Sequence, residues 1–531
     1  MYKILMTYDS KEGLEKLFEN KDFVIDIRPK PSPEEFKKII KNYDGLLIRS
    51  EVKVTADIIE AADKLKFIGR AGTGVDNVDK NTATQKGIVV ANVPGGNTIS
   101  AAEHTIGLIL SMARNIPEAY QSLKSKKWDR KNFMGTELCG KYLGLIGLGR
   151  IGIEVAKRMI AFGMKVVAYD PFANDTLAGS YNIDLIPLDD VLINADYISI
   201  HCPLNDATKG MINAQAISKM KDGVRIVNCA RGPIINEKDL AQAVSSGKVK
   251  GAALDVFVKE PPEDWTIIET DNVIATPHLA ASTEEAQIKI AKEMSDVIID
   301  FFTKGLIRNA VNVPTVDWET YKKMKPYIDL ASKIGLFQGQ VIEGGIKGIE
   351  IKYCGNLSSF NTGPLTIAFL QGLLLPMLNI KVNFVNALTI AKERGIKIKE
   401  SKEIDSEDYA GLIVAAIETD KGECKVLATM FSDTNPRIVN INGLGVDITP
   451  CGGMILITNE DKPGVVGNVG KVLGDSGVNI AGMNLGRKDV GGEALTIIEV
   501  DDSVSSEVIE KILKIGGIKK VKYVDLEIER D

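Results

Sequence analysis

Three histidines in 531 residues leave a short choice of proton carriers. His278 stands in Thr276-Pro277-His278-Leu279-Ala280, directly after the apolar run NVIA. Two further apolar runs end in complementary charges. VRIVN leads into Cys229-Ala230-Arg231-Gly232, and GAAL leads into Asp255-Val256-Phe257-Val258-Lys259-Glu260-Pro261-Pro262. If the three runs are parallel strands, Arg231, Glu260 and His278 lie at the carboxyl edge of one sheet, where α/β proteins bind ligands. Such a set suits hydride transfer from a 2-hydroxy acid. The imidazole takes the hydroxyl proton, the carboxylate orients the ring and favours its charged form, and the guanidinium clamps the substrate carboxylate. The same positions also suit a salt-bridge cluster around a packing histidine. His104 falls inside the apolar-periodic stretch AAEHTIGL and reads as a packed helix residue. His201 closes YISIH and either lines a cofactor or caps a strand.

A second constellation is Gly147-Leu148-Gly149-Arg150-Ile151-Gly152. Alone, a glycine triplet of this kind is weak evidence. Here it follows an apolar strand (142–146), opens an apolar-periodic helix (153–162), and precedes a strand that ends in Asp170, about 20 residues on. Gly147 permits the tight turn, Gly149 lets the backbone approach a pyrophosphate, and Gly152 lets helix and strand pack closely. The helix N-terminus stabilises the phosphate charge. Asp170 accepts hydrogen bonds from a ribose diol and repels a 2′-phosphate, so NAD is favoured over NADP.

These residues need a scaffold, and the chain supplies one. KILMTY, FVIDI, GLLIRS, KFIGRA and GIVVANV alternate with helical stretches over residues 1–98. A long helix spans about 100–113. The alternation then restarts through KYLGLIG, KVVAYD, YISIHCP, VRIVNCA, GAALDVF and NVIATPH. Two such units imply two parallel sheets flanked by helices, facing one another across a cleft. A helix of roughly 283–303, led by Ser282, is expected to return to the first unit. The boundaries expected are 1–98 plus 290–314 for substrate binding and 99–289 for the dinucleotide. Residues 315–450 form an intervening α+β region, and 451–531 a β-α-β-β-α-β ferredoxin-like module.

Composition agrees with a multidomain globular protein. A net charge of −6 argues against nucleic acid, which favours basic faces. The apolar stretch 365–378 is too short to span a bilayer of about 20 residues and reads as a buried helix. Six cysteines without CxxC pairs suggest reduced thiols in a cytoplasmic enzyme rather than disulfides or a metal site.

The segments GRAGTGVDNVD (69–79), LGLIGLGRIG, NCARG, LDVF-x-x-EPP and TPHLAAST together resemble the D-isomer-specific 2-hydroxyacid dehydrogenase family. The stretch WDRKNFMGTELCGK points to members that oxidise 3-phospho-D-glycerate at the entry to serine biosynthesis. The resemblance implies Arg231, Glu260 and His278 as the catalytic set, with His278 the acid/base. It implies NAD contacts from Thr73, Arg150, Ile151, Asp170, Cys229, Ala230, Asp255 and the turn from His278 to Ala281. For the phosphate and carboxylate of the substrate the candidates are Arg49, Arg70, Asn97, Arg130 and Lys131. The last two sit on a loop that in resembling enzymes reaches a neighbouring subunit. Residues 453–531 resemble an ACT domain, which implies L-serine as an effector near Asn459, Asp461 and Asn479, or else a dimerisation module. Asn459 stands where some relatives carry histidine. The whole implies a homotetramer with no membrane partner. Other readings are a hydroxypyruvate, glyoxylate or 4-phosphoerythronate dehydrogenase, and a non-enzymatic NAD sensor.

Overall fold

The computed structural model describes residues 1–406 and 408–527. Residues 407 and 528–531, which the expected boundaries include, lie outside the described residues. The first unit is a parallel five-stranded sheet: β1 (Tyr2–Met6), β2 (Phe23–Ile27), β3 (Gly45–Ile48), β4 (Phe67–Arg70) and β5 (Val89–Ala91), in the order β2-β1-β3-β4-β5. Its strands are apolar on both faces because helices cover both. Ile4, Met6 and Leu47 pack on Ile290, Met294 and Phe302 of the helix Glu284–Lys304, while Leu5, Leu46 and Ile48 pack on Phe36, Ile40 and Ile59. The helix after His278 thus lies on the first sheet. Its cap is Thr283, whose hydroxyl accepts the Ala286 amide at 3.2 Å, rather than the expected Ser282.

The long helix Thr98–Arg114 carries the chain into the second unit, a parallel seven-stranded sheet. Its strands are β6 (Tyr142–Ile146), β7 (Lys165–Tyr169), β8 (Asp184–Leu185), β9 (Tyr197–Ile200), β10 (Val224–Asn228), β11 (Val249–Leu254) and β12 (Val273–Ala275). The order β12-β11-β10-β9-β6-β7-β8 reverses between β9 and β6, the switch point at which such sheets bind dinucleotides. The two-residue β8 is too short to leave a periodic signal in the sequence.

Beyond the helix Trp318–Val341 lies a mixed sheet of β13 (Ile346–Gly355), β14 (Lys397–Glu403), β15 (Gly411–Thr419), β16 (Gly422–Met430), β17 (Pro436–Ile441) and β18 (Leu444–Ile448). The expected apolar helix is there as Gly363–Leu374, packed on Trp318–Val341. The final module is an antiparallel sheet of β19 (Gly453–Glu460), β20 (Ile480–Arg487), β21 (Glu493–Val500) and β22 (Ile518–Asp525), ordered β20-β21-β19-β22. Both of its faces are buried. Ile455, Ile457 and Ile498 meet the helices Val465–Asp475 and Ser506–Leu513, whereas Met454, Leu456 and Ile497 join the core of the preceding region. No helix among the described residues is long and apolar enough to cross a membrane.

Candidate active site

Adjacent parallel strands β10, β11 and β12 deliver Arg231, Glu260 and His278 to one edge, and the side chains meet there. His278 Nδ1 lies 2.7 Å from Glu260 Oε2, with both side chains about two-fifths exposed. Burial opposes ionisation of Glu260. The hydrogen bond and charge of His278, the Phe257 amide and the Arg231 charge outweigh that and hold its carboxyl below the usual range. An ionised carboxylate only accepts, so Nδ1 of His278 carries the hydrogen and Nε2 is left to receive a substrate proton. The turn behind the ring is strained. His278 has φ of 55°, a region costly for a side-chain-bearing residue, of the order of 1–3 kcal/mol. Fully buried Asp255 holds it, accepting the Leu279 amide at 2.7 Å and the Ala280 amide at 2.9 Å. Desolvation would raise the Asp255 pKa, but His104, Thr276 and those two amides hold it below the ordinary carboxylate range.

The other two histidines are committed elsewhere. His104 Nε2 sits 3.2 Å from both Asp255 Oδ1 and Thr276 Oγ1, so it anchors the clamp on the His278 turn as well as packing in its helix. His201 bonds Ser199 Oγ at 2.8 Å, and burial pushes its imidazole down to about 4. Burial likewise pushes the Cys229 thiol up to about 12, which keeps it neutral.

Arg231 crosses the cleft. Its Nε donates to Asp76 Oδ2 at 2.8 Å in the first unit, and a Cβ on Gly74 would stand 2.1 Å from its Nη2. Only glycine admits the guanidinium there. Asp76 lies in the segment 69–79, 155 positions from Arg231, and the pairing forms only when the two units fold together. Ala230, next to Arg231, has its amide fixed by Asn228 Oδ1 at 3.0 Å. On the first sheet Arg49 follows β3 and Arg70 ends β4, side by side. Burial and the Arg231 charge push the Arg70 guanidinium down to about 10. Thr73 donates to Asn97 Oδ1 at 2.8 Å, so these two candidates form one linked pair. Arg130 and Lys131 do not join this sheet edge: they are exposed on the 3-10 turn Arg130–Phe133.

The switch point fits a dinucleotide. Gly147 has φ of 101°, and a Cβ there would press within 2.7 Å of the Cys202 amide. A Cβ on Gly152 would lie 2.4 Å from the Gly147 carbonyl oxygen, so the helix Arg150–Ala161 seats directly on the turn. A Cβ on Gly149 would meet nothing within 4 Å, which leaves open backbone for a pyrophosphate. Arg150 opens that helix exposed, with Ile151 partly buried behind it. Asp170 accepts the Leu148 amide at 2.8 Å and the Phe172 amide at 2.9 Å, which fixes its carboxylate beside the turn. Ala281 is partly buried after the His278 turn, its carbonyl accepting from Gln287 at 3.0 Å.

The residues expected to hold an effector do not converge within one chain. Asn459 is 2% exposed and spends its amide on Glu460 O and Thr496 Oγ1. Asp461 accepts Arg487 Nη1 at 2.6 Å and the Gly491 amide at 3.1 Å. Asn479 donates to Asp501 at 2.5 Å. Register puts Ile480 level with Val500 and Gly453, whereas Asn459 pairs Ala494. Asn479 and Asp461 therefore lie at opposite ends of the sheet, roughly 26 Å apart by strand rise.

Comparison with known proteins agrees with this layout. Residues 106–280 match the D-isomer specific 2-hydroxyacid dehydrogenase, NAD binding domain; residues 323–442 the D-3-phosphoglycerate dehydrogenase intervening domain; and residues 453–517 the ACT domain. A D-3-phosphoglycerate dehydrogenase of Bacillus subtilis is 41% identical over 99% of this chain and 100% of its own length. One from Methanocaldococcus jannaschii is 44% identical over 99% of this chain and 100% of its own. Among solved structures, a D-lactate dehydrogenase of Aquifex aeolicus complexed with NAD and lactic acid is 30% identical, with a TM-score of 0.53, over 59% of this chain and 100% of its own. The chain belongs to the D-3-phosphoglycerate dehydrogenase family, NAD-dependent D-2-hydroxyacid oxidoreductases that here carry an intervening domain and a C-terminal ACT domain.

Proposed function

We propose that the chain oxidises 3-phospho-D-glycerate to 3-phosphohydroxypyruvate, the first step toward L-serine. The observation that carries this reading is the His278–Glu260 pair at 2.7 Å, facing Arg231 across one sheet edge. NAD, held by the Gly147–Gly152 turn and Asp170, supplies the hydride acceptor. His278 Nε2 takes the C2 hydroxyl proton, and the Glu260 carboxylate stabilises the imidazolium that results. Arg231 exchanges Asp76 for the substrate carboxylate and carbonyl oxygen, a charge-assisted fork of the kind arginine suits. Arg49 and Arg70 supply the positive charge for the phosphate and carboxylate ends, with Asn97 beside them.

Ile116, Tyr120, Leu123, Trp128 and Met134 are exposed along one segment, the apolar surface expected of a subunit contact, and support a homotetramer. That segment carries Arg130 and Lys131 toward a partner subunit's cleft. L-serine binds between ACT modules of two subunits, with Asp461 of one and the Asn479 position of the other as its contacts; Asn459, buried and bonded to Glu460 and Thr496, shapes the β19 end beside Asp461. The six cysteines form no disulfide among the described residues, which supports a cytoplasmic enzyme. The test is NADH formation from 3-phospho-D-glycerate and NAD at alkaline pH, with and without L-serine. Turnover on glyoxylate or hydroxypyruvate alone would replace the substrate, and turnover indifferent to serine would reduce the ACT module to assembly.

A further inference from the structure

The first sheet has its own switch point, and the mechanism above leaves it half used. The order β2-β1-β3-β4-β5 reverses between β1 and β3, the crevice in which sheets of this order hold ligands. Met6 of β1 pairs with Leu47 of β3 in parallel register, and the Thr7 amide donates to Leu47 O at 3.0 Å. Two residues on, the same register sets Tyr8 beside Arg49. The side chains do meet: the Arg49 guanidinium carbon stands 4.5 Å from the Tyr8 ring centre. Three buried polar atoms around this point have no hydrogen-bond partner among the described residues: Tyr8 OH, Arg49 Nε and Arg70 Nε. Both arginine nitrogens can only donate, and the Tyr8 phenol, with Arg49 against its ring, still has a hydroxyl hydrogen to place. Donors without acceptors are costly when buried, so the arrangement is complete only with an anion that offers several oxygens.

We propose that Tyr8 is a specificity-determining residue for the phosphate of the substrate, holding the Arg49 guanidinium on its ring and donating its hydroxyl to a phosphate oxygen. This rests on the proposed function, and it assigns the phosphate to the β1/β3 crevice and the carboxylate to the Arg231 side. Burial, opposed by Arg49, pushes the phenol up to about 12, so it keeps its proton throughout the working range. Tyr8 is 6% exposed, so the ring is fixed by the core below it and needs no ordering when substrate arrives.

The test compares the full chain with Tyr8→Phe and Tyr8→Leu, measuring kcat and KM for 3-phospho-D-glycerate, for unphosphorylated D-glycerate and for NAD. Tyr8→Leu is expected to raise the phosphoglycerate KM roughly tenfold or more, from loss of stack and hydroxyl together. Its kcat, its NAD KM and its kcat/KM on D-glycerate should stay close to those of the parent. Tyr8→Phe restores the stack and should recover part of the loss. An unchanged phosphoglycerate KM in both variants overturns the proposal, as does a Tyr8→Leu loss shared equally by NAD and D-glycerate, which marks a purely structural residue. Full recovery in Tyr8→Phe overturns the hydroxyl contact. A parent enzyme that ignores 3-phospho-D-glycerate but turns over another 2-hydroxy acid overturns the proposed function instead.

Discussion

The second unit and the ACT module both place polar residues at strand termini, yet only the second unit brings them together within one chain. In the second unit β10, β11 and β12 are neighbours and parallel. Their carboxyl ends stand about 5 Å apart, so three residues scattered over 48 positions of sequence must meet. In the ACT module β19 and β20 flank β21 and therefore run the same way, so the end of β19 and the start of β20 fall on opposite edges. Parallel topology makes convergence a property of one chain. In the ACT module the end of β19 and the start of β20 share no edge within the chain.

That contrast is easiest to break at its strongest point. His278→Ala should lower kcat by about 10²–10⁴-fold, the usual reach of a positioned acid/base, with the NAD KM nearly unchanged. Stopped-flow or steady-state NADH absorbance measures it, and a loss below tenfold would move the proton to another group. Glu260→Gln comes next. It keeps the hydrogen-bonding shape and removes the charge, so kcat should fall by a smaller factor, of the order of ten- to a hundredfold, with the pH–rate profile displaced. A profile that keeps its shape and position would mean that Glu260 orients the ring without charging it.

Asp255→Asn probes the support beneath His278. Four donors converge on that carboxylate, and removal of its charge should cost about 2–3 kcal/mol. The Asp255 carboxyl sits below its ordinary range in the folded protein, so its contribution is present above about pH 4 and is lost as pH falls through the lower folded value. Thermal unfolding followed between pH 7 and pH 3 should therefore show the parent losing stability on acidification more steeply than the variant. Parallel curves would mean that the clamp is held by packing alone.

Much of this was legible in the residues. The glycine turn, Asp170 and the charged strand ends needed only the period of the apolar runs and the spacing between them. What was not legible depends on contacts across the fold. His104 read as a packing residue because its neighbours in sequence are apolar, and its bond to Asp255 bridges 151 positions. Asp76 meets Arg231 across 155. Tyr8 gave no signal at all, since an aromatic residue after a strand is ordinarily core, and its meaning comes from Arg49 in the next strand. Asn459, named through the resemblance to the ACT domain, lies buried in β19, which its polar side chain does not reveal.

The smallest expected effect sharpens the comparison at the other end. The Gly491 amide and Arg487 hold the Asp461 carboxylate below its ordinary range. Arg487 thus stands where the amine of an amino-acid effector would pair. Arg487 is exposed and Asp461 only partly buried, so the ion pair adds little to stability and Arg487→Ala should leave Tm nearly unchanged. If Asp461 is the amine contact, freeing it should shift L-serine inhibition to lower concentration by a few fold, with uninhibited kcat and KM as in the parent. If the shift is absent while Asp461→Asn also leaves inhibition intact, the effector lies elsewhere between the modules, and the β19 loop serves only to shape the sheet end.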